Sequence, residues 1–512
     1  METIKIRVAQ AEIPNTNGSG KSVETRLFIN GEFQPSSDGK TFSLIDPFTR
    51  KSVAEVSQAT EQDTNNAVAA AKAAFPAWRD RSPADRGAYL HKLAALIREN
   101  NDEFARLEAL STGKPVSQYF DATVSADTFS YFAEAGWTVQ GTSSLNTPGH
   151  LNMTVKQSYD VVACIIPWNV PMAFVAFKVA PALAAGNTVV LMSSEKAPLT
   201  VRHLKNLGRL LLSNAQSPFL AATLIAKAGF PPGVVNILSG FGTPAGSTLA
   251  SHMDVRCLSF TGSSFTGQRI QAAAAASNMK IVHMELGGKS PALIFYDADL
   301  ENAVQATQFS IQCLSGQTCM ANSRIYVQES VADKCLALFK EKFGSAVLGN
   351  PLELATTHGP QVDGLQYERV KSYITIGEQD GKLSMGGDEG NGYFIKPTVF
   401  ESVPEDSRIM KEEVFGPVVV INTFKTEEDA IKKANASEFG LYASVFTKDL
   451  DRAVRTSKLL EAGTVGVNTT SPNIANDMPF GGYKMSGIGR EGFMHSLDNS
   501  LETKTILIKV SS

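Results

Sequence analysis

Short runs of β-branched and apolar residues recur along the chain and alternate with amphipathic helical stretches. The runs VVACIIP, NTVVLM, GVVNILSG and VRCLSFTG follow one another between residues 160 and 262. A second cycle, from about residue 290 to 470, contains PALIFYD, SRIYVQ, PVVVINTF and GTVGVN. Because a parallel sheet is covered by helices on both faces, its strands are apolar throughout. The pattern predicts an α/β protein built from two such cycles.

The segment before the first cycle predicts a hairpin followed by helices. Residues 26–34, RLFINGEFQ, form two strand patterns joined by an Asn-Gly pair, which is a strong hairpin signal. Residues 63–80 and 82–114 have apolar positions at helical spacing, and the second range begins with Ser-Pro, typical of a helix start. The chain ends in LETKTILIKVSS, an alternating strand that we expect to complete a sheet, in this or another subunit.

The composition fits a large globular protein and excludes several classes. The chain has 512 residues, of which 43% are hydrophobic and 19% charged, so about three ordinary domains or two large ones are expected. A net charge of -4 produces no positive electrostatic potential that would attract nucleic acid or an anionic membrane, and we expect neither partner. No run approaches the roughly 18 apolar residues of a membrane span.

The N-terminus and the cysteines indicate a reducing compartment. The first residues mix acidic and basic side chains, unlike a signal or transit peptide. The chain has 5 cysteines without CxxC spacing, so neither a disulfide scaffold nor a zinc ribbon is expected, and we predict no metal site. We therefore predict a cytoplasmic protein.

Two motifs suit nucleotide binding, and each also has a purely structural explanation. A strand, a glycine turn and a helix follow one another around Gly262 and Gly267. The turn could hold a phosphate at the helix start or could simply join the two elements. Glu195, at the end of a strand pattern, could bind the hydroxyls of a ribose or cap a helix.

Three further residues suit catalysis, again with an alternative. Asn169, between closely spaced prolines, could donate to an oxyanion or fill a turn. Glu285, before two glycines, could be a general base or a loop charge. Cys319, in SGQTCMANSR, could be a nucleophile or a small core residue.

The order and spacing of these motifs resemble the NAD(P)-dependent aldehyde dehydrogenase superfamily. The resemblance extends from about residue 26 to the C-terminus. It implies an α/β, aldehyde dehydrogenase-like fold with a Rossmann-type cofactor domain, an α/β catalytic domain and a small oligomerisation sheet. The motifs that carry it are PWNVP, GNTVVLMSSEKAPL, FPPGVVNILSGFG, FTGSSFTG, ELGGKSP, GQTCMANSR, KEEVFGPVV and MPFGGYKMSGIGRE.

The resemblance implies roles for the catalytic residues. Cys319 matches the nucleophile that gives a thiohemiacetal and then a thioester, and Glu285 matches the base that activates water. Asn169 and the backbone N–H of Cys319 match the oxyanion hole. Cys313 is not at the motif position, and we expect it to pack in the core.

The resemblance also implies a cleft that binds NAD. Glu195 matches the residue on the adenosine ribose, Ser263 and its turn match the pyrophosphate site, and Glu413 matches the residue on the nicotinamide ribose. The other residues expected to line the cleft are Trp168, Gly242, Gly262, Gly267, Leu286, Gln366 and Phe415.

The chain departs from the family pattern in two places. Met192 stands where the family usually has lysine, which removes about one charge-assisted hydrogen bond to the cofactor, roughly 1.5–3 kcal/mol. This change disfavours NADP more than NAD, and we predict NAD. Residues 201–217, VRHLKNLGRLLLSNAQS, interrupt a segment that runs nearly straight on in the family. They are either a surface insertion or a translated intron.

The residues expected at the aldehyde entrance predict the class of substrate. The residues there are mostly apolar and include two aromatic rings, which favours a hydrophobic or aromatic aldehyde, although broad specificity fits equally well. These residues are Val170, Phe174, Phe177, Thr318 and Met320.

We predict NAD-dependent oxidation of an aldehyde to the carboxylic acid. Three alternatives remain: acyl transfer to coenzyme A, ester cleavage without cofactor, and a non-catalytic or cofactor-impaired member used for binding. The presence of Glu285 argues against the first, and the intact set of Asn169, Glu285 and Cys319 argues against the last.

The resemblance divides the chain into three parts. The NAD-binding domain comprises residues 1–139 and 159–287, and the catalytic domain comprises residues 288–484. Residues 140–158 and 485–512 are the oligomerisation segments. Because the terminal strand has no obvious use in a monomer, we predict a homodimer or homotetramer.

Overall fold

Most of the predicted strands and helices are present in the structure. The structure, a computed structural model, describes residues 25–201, 221–387, 392–475 and 477–510. The predicted insertion at 201–217 therefore lies outside the described residues except for its first residue, which ends a helix.

The helices among the described residues are α1 (Glu61–Arg79), α2 (Pro83–Glu99), α3 (Asn101–Thr112), α4 (Asp121–Ala135), α5 (Pro171–Ala184), α6 (Pro198–Val201), α7 (Ala221–Ala228), α8 (Ser247–Ser251), α9 (Ser264–Ala276), α10 (Leu300–Gln312), α11 (Ala332–Gly344), α12 (Gly364–Asp380), α13 (Arg408–Lys411), α14 (Glu427–Asn435), α15 (Leu450–Leu459) and α16 (Phe493–Asp498).

The strands in the same part of the chain are β1 (Leu27–Ile29), β2 (Glu32–Gln34), β3 (Thr41–Ile45), β4 (Ser52–Ser57), β5 (Ser143–Ser144), β6 (His150–Ser158), β7 (Val161–Ile165), β8 (Thr188–Ser193), β9 (Val235–Ser239), β10 (Val255–Thr261), β11 (Ile281–Glu285), β12 (Pro291–Ile294), β13 (Arg324–Gln328), β14 (Lys382–Met385), β15 (Thr398–Glu401), β16 (Val418–Phe424), β17 (Phe439–Gly440), β18 (Tyr442–Phe446), β19 (Thr464–Val467), β20 (Tyr483–Lys484), β21 (Gly487–Ile488) and β22 (Leu501–Lys509).

Two large sheets form the two halves of the molecule. In the described part of the chain the first sheet has the order β2-β1-β9-β8-β7-β10-β11-β21, and the strands from β9 to β11 are parallel. The second has the order β14-β15-β16-β13-β12-β18-β19, and all its pairs except β14 with β15 are parallel. The prediction of parallel sheets from two cycles is confirmed.

Successive residues of β8 show why the strands are apolar throughout. Val189 and Leu191 belong to the apolar cluster on one face of the first sheet. Val190 and Met192 belong to the cluster on the opposite face. Because side chains alternate between the faces of a strand, a sheet covered on both sides needs apolar residues at every position.

The predicted hairpin and the predicted helix start are both present. β1 and β2 pair in antiparallel register around Asn30 and Gly31, which have φ angles of 53° and 80°. The side chain of Ser82 accepts from the backbone N–H of Asp85, and Pro83 is the first residue of α2. The helical pattern over 82–114 divides at Asn100 into α2 and α3.

A smaller sheet contains the C-terminal strand. It has the order β22-β6-β5, and β22 pairs with β6 from Leu501 opposite Ser158 to Lys509 opposite His150. β21 also lies within the expected oligomerisation segment 485–512, but it pairs with β11 in the first sheet and not with the smaller sheet. No helix in the described ranges is long and apolar enough to cross a membrane.

Candidate active site

The loop that carries Cys319 is held in a constrained conformation. It follows α10 through a turn in which Leu314 and Ser315 have φ angles of 53° and 54°, which cost energy for residues with a side chain. The hydroxyl of Ser315 donates to the carbonyl oxygen of Gly359 at 2.8 Å, and the side-chain amide of Gln361 donates to the carbonyl of Ser315 at 3.2 Å. These bonds fix the backbone just before Cys319.

Cys319 lies where its thiol is protonated at neutral pH. It is partly exposed, whereas the other four cysteines are buried. Burial raises the pKa of the Cys319 thiol to about 12, and the nearby carboxylates of Glu413 and Glu285 act in the same direction. The backbone N–H groups of Cys319 and Met320 oppose the shift. The thiol therefore needs a proton acceptor before it can act as a nucleophile.

Asn169, in the half of the molecule built on the first sheet, contacts the loop that carries Cys319. It lies between β7 and α5, and its Nδ2 donates to the carbonyl oxygen of Gln317 at 3.0 Å. The side chain of Gln317 is itself held, since Nε2 donates to the carbonyl of Leu314 at 3.0 Å and Oε1 accepts from the N–H of Val362 at 2.9 Å. An amide nitrogen carries two hydrogens, so Asn169 keeps a second donor for a substrate oxygen.

Glu285 is the last residue of β11 and is 4% exposed. Its Oε2 has no hydrogen-bond partner. Burial and the charge of Glu491 raise the pKa of the Glu285 carboxyl well above its usual value, while Lys178 and Arg490 oppose the rise. A buried carboxylate with a free oxygen and a raised pKa is suited to accept a proton.

The two glycines after Glu285 let three functional groups approach one another. A Cβ on Gly287 would lie 2.4 Å from Oε2 of Glu413, and one on Gly288 would lie 2.3 Å from the carbonyl oxygen of Cys319. The N–H of Gly288 also donates to Oε1 of Glu413 at 3.0 Å. Side chains at either glycine would push Glu285, Cys319 and Glu413 apart.

The glycine turn after β10 suits a phosphate group. Ser263 is the N-cap of α9, a helix of 13 residues, and its side chain accepts from the N–H of Thr266. Gly267 lies inside the first turn of α9 rather than before it, and a Cβ there would lie 2.8 Å from Cδ2 of Leu286. The start of α9 offers backbone N–H groups and the positive end of the helix dipole, which fits a pyrophosphate.

The residues expected at the adenosine end lie along the same edge of the first sheet. Glu195 follows β8 and accepts from the hydroxyl of Ser194 at 3.2 Å. Gly242 follows β9 and begins a turn, Gly242–Gly246, that leads into α8. Met192 is 4% exposed and belongs to an apolar cluster, so it offers no charge to a ligand.

The residues expected at the nicotinamide end come from both halves of the molecule. The rings of Trp168 and Phe415 pack edge to face with their centroids 5.5 Å apart. The side chain of Gln366 donates to the carbonyl oxygen of Phe415 at 2.8 Å. Burial raises the pKa of the Glu413 carboxyl to about 7. Aromatic faces beside hydrogen-bonding groups of this kind fit a ribose and a nicotinamide ring.

The residues expected at the aldehyde entrance lie on α5, directly before it, or beside Cys319. The rings of Phe174 and Phe177 are 6.0 Å apart, edge to face. Val170 directly precedes α5, and Thr318 and Met320 flank Cys319 in the chain.

Comparison with known proteins decides the family. The sequence model of the family described as "Aldehyde dehydrogenase family" matches residues 33–506. An aldehyde dehydrogenase of Davidiella tassiana is 45% identical over 509 residues, which is 98% of each chain. The chain belongs to the aldehyde dehydrogenase family. Its reaction is the oxidation of an aldehyde with a nicotinamide dinucleotide.

Solved aldehyde dehydrogenase structures have the same fold. A γ-glutamyl-γ-aminobutyraldehyde dehydrogenase of Burkholderia cenocepacia is 39% identical with a TM-score of 0.90, covering 96% of this chain and 97% of the other. A variant of an indole-3-acetaldehyde dehydrogenase of P. syringae, in complex with NAD+ and IAA, is 36% identical with a TM-score of 0.89, at the same coverage. The predictions of an aldehyde dehydrogenase-like fold and of the enzyme class are confirmed.

This aldehyde dehydrogenase has a buried polar group beside Glu285 that the sequence motifs did not reveal. Nζ of Lys178 donates to Oε1 of Glu491 at 2.5 Å and to the hydroxyl of Ser259 at 3.0 Å. The side chain of Lys178 is fully buried, and both charges influence the carboxyl of Glu285. The sequence could have drawn attention to Lys178, because it is the single lysine in the otherwise apolar helix PMAFVAFKVAPALA. Its partner could not be found in this way, because Glu491 is 313 residues away.

Proposed function

We propose that the protein oxidises a hydrophobic or aromatic aldehyde to its carboxylic acid with NAD, using Cys319 as nucleophile, Glu285 as base and Asn169 in the oxyanion hole. The observation that carries this assignment is the meeting of the three residues around one loop. Asn169 donates a hydrogen bond to the carbonyl of Gln317, two residues before Cys319. Gly288, three residues after Glu285, lies against the carbonyl of Cys319.

The first stage is addition of the Cys319 sulfur to the aldehyde carbon. The thiol proton passes to a water molecule, a carbon–sulfur bond forms, and the carbonyl oxygen becomes an oxyanion. The free hydrogen of the Asn169 amide and the backbone N–H of Cys319 donate to that oxygen, which lowers the barrier because the charge exists only after attack. The bound dinucleotide supplies the acceptor for the hydride that leaves the thiohemiacetal carbon. A thioester on Cys319 remains.

The second stage is hydrolysis of the thioester. Glu285 takes a proton from water, the resulting hydroxide attacks the thioester carbon, and the carbon–sulfur bond breaks to release the carboxylic acid and the thiolate. A raised pKa makes the ionised Glu285 a stronger base for this step. Overall, the aldehyde and water lose one hydride, which carries two electrons, and one proton, and they yield the acid.

The choice of NAD rests on the adenosine end of the cleft. Glu195 follows β8 at the expected position, and its negative charge suits two ribose hydroxyls better than a 2′-phosphate. Met192, buried among apolar residues, offers no cation for such a phosphate. Glu413 and Phe415 are proposed for the nicotinamide ribose and ring.

The choice of a hydrophobic substrate rests on α5. The edge-to-face rings of Phe174 and Phe177 give an apolar wall, and Val170 before them leaves room for a wide group. Thr318 and Met320 complete the proposed entrance on either side of Cys319.

The proposed domains follow the two large sheets, and the small sheet is proposed for assembly. The exposed apolar side chains of Leu507, Ile508 and Val510 lie on or just after β22 and suit contact with another subunit. We infer a homodimer or homotetramer. The five free thiols support a reducing, cytoplasmic setting.

The test is titration with NAD, followed by tryptophan fluorescence, in parallel with NADH formation on aromatic and aliphatic aldehydes. We expect fluorescence quenching and turnover that favours the apolar aldehydes. Turnover should vanish in Cys319→Ala and persist in the matched variant Cys335→Ala, which changes a buried cysteine of α11. Turnover in Cys319→Ala would refute the nucleophile, and stronger quenching by NADP would refute the cofactor choice. If NAD does not bind, the titration is repeated with residues 201–217 deleted.

A further inference from the structure

An ion pair joins the end of a strand in the first sheet to the start of a helix in the second half. Lys196 follows β8, and Asp363 is the N-cap of α12. Nζ of Lys196 lies 2.7 Å from Oδ2 of Asp363, and the two side chains are 23% and 32% exposed. The other oxygen of Asp363 accepts from the backbone N–H of Gln366 at 2.8 Å. One carboxylate therefore caps the helix and binds the lysine.

The pair lies over the aromatic wall of the proposed cofactor cleft. Nζ of Lys196 is 5.7 Å from the ring centroid of Trp168, and that ring packs against Phe415. Gln366, in the first turn of the helix that Asp363 caps, binds the carbonyl oxygen of Phe415. The ion pair thus connects the two walls that carry the proposed cofactor residues.

We propose that Lys196 and Asp363 form a clasp across the mouth of the cofactor cleft that slows release of the dinucleotide. This inference rests on the proposed NAD-dependent function. Because the two residues belong to opposite walls, widening the mouth for a ligand to leave breaks their contact. A partly exposed ion pair contributes little free energy, so its loss should accelerate release about two- to five-fold.

The experiment measures NADH dissociation by stopped-flow fluorescence in Lys196→Met, Asp363→Asn and the double variant. Asparagine is as good an N-cap as aspartate, so Asp363→Asn removes the charge and keeps the cap. We expect each single variant to release NADH about two- to five-fold faster and the double variant to be no faster than either. High salt should accelerate release from the unaltered protein but not from the variants.

Lys433→Met is the matched control. Lys433 pairs with Asp429 at 2.9 Å inside α14, with side chains 26% and 34% exposed, and this pair spans no cleft. Its removal should leave NADH release unchanged.

The outcomes separate the clasp from the proposed function. Unchanged or slower release in the single variants, or additive effects in the double variant, would overturn the clasp while cofactor binding by the unaltered protein upholds the function. Failure of the unaltered protein to bind NAD or NADH would overturn the proposed function and the clasp with it.

Discussion

The thiol of Cys319 is surrounded by groups that keep it protonated. Its burial and the carboxylates of Glu413 and Glu285 raise its pKa to about 12. Below that pKa, the thiolate fraction of a thiol grows about tenfold for each unit of pH.

The alkylation rate of Cys319 in the cofactor-free protein should therefore keep rising from pH 6 to pH 9, by about tenfold per unit. Iodoacetamide labelling, quantified by mass spectrometry of the peptide that contains Cys319, measures this rate. A plateau near neutral pH would contradict the raised pKa, since it would mean that the thiol is already ionised there.

The carboxylate of Glu285 is assigned to thioester hydrolysis and not to hydride loss. Glu285→Gln keeps the shape of the side chain but removes the base, which should slow steady-state turnover by about 10²–10⁴-fold. Formation of the thioester should survive, so a burst of NADH close to one per active site should precede the slow phase in stopped-flow absorbance. Turnover without any burst would place Glu285 in an earlier step, and unimpaired turnover would remove it from the mechanism.

At the scale of elements, the loop between α10 and β13 depends on a glycine that no side chain can replace. Gly316 has a φ angle of 77°, and a Cβ there would lie 2.0 Å from the carbonyl carbon of Gly416. Gly39 has a similar φ angle of 71° but no atom within 4 Å of a Cβ. An alanine at Gly39 would therefore introduce backbone strain alone, whereas an alanine at Gly316 would introduce both strain and steric overlap.

Gly316→Ala should displace Cys319, the proposed nucleophile, and lower kcat/KM by about 100-fold, because small shifts of catalytic groups are costly. Gly39→Ala should cost only the strain of a positive φ angle, about 1 kcal/mol of unfolding free energy, with normal kcat/KM. Steady-state kinetics and chemical denaturation of both variants provide the comparison. Equal kinetics in the two variants would show that the loop tolerates the overlap.

The elements were predictable where a local pattern encodes them. Apolar runs located the parallel strands, and the Asn-Gly and Ser-Pro pairs located the first turn and a helix start. The break at Asn100 was not foreseen, because the apolar spacing continues from α2 into α3 and the residue has no strong breaking signal. Gly267 was expected in a turn but lies in α9, since Ser263 already caps the helix.

At the scale of the whole molecule, the site was predictable only through ordered motifs. The local sequence around Cys319 suits a buried thiol as well as a nucleophile. The contacts of Lys178 with Ser259 and Glu491 join residues 81 and 313 positions apart. No periodicity or spacing encodes such pairs, because they form only when α5 packs near β10 and the C-terminal segment.

The small sheet leads to a prediction about assembly. Removing residues 501–512 deletes β22, which leaves the long edge of β6 without its partner. We expect a smaller oligomer in light scattering coupled to gel filtration, because the proposed contact between subunits is lost. Removing only residues 511–512 keeps β22 and should keep the assembly. An unchanged mass after the larger deletion would show that the subunits associate elsewhere.

The hydrogen bond from Asn169 to the carbonyl of Gln317 has a consequence for what catalysis reports. The donor belongs to the half built on the first sheet, and the acceptor belongs to the loop of the other half that carries Cys319. Neither half contains both donors proposed for the oxyanion hole, so each half could keep its secondary structure while the enzyme is inactive. The rate of turnover therefore reports whether the two halves are packed together, in the way that a split reporter signals the joining of its fragments.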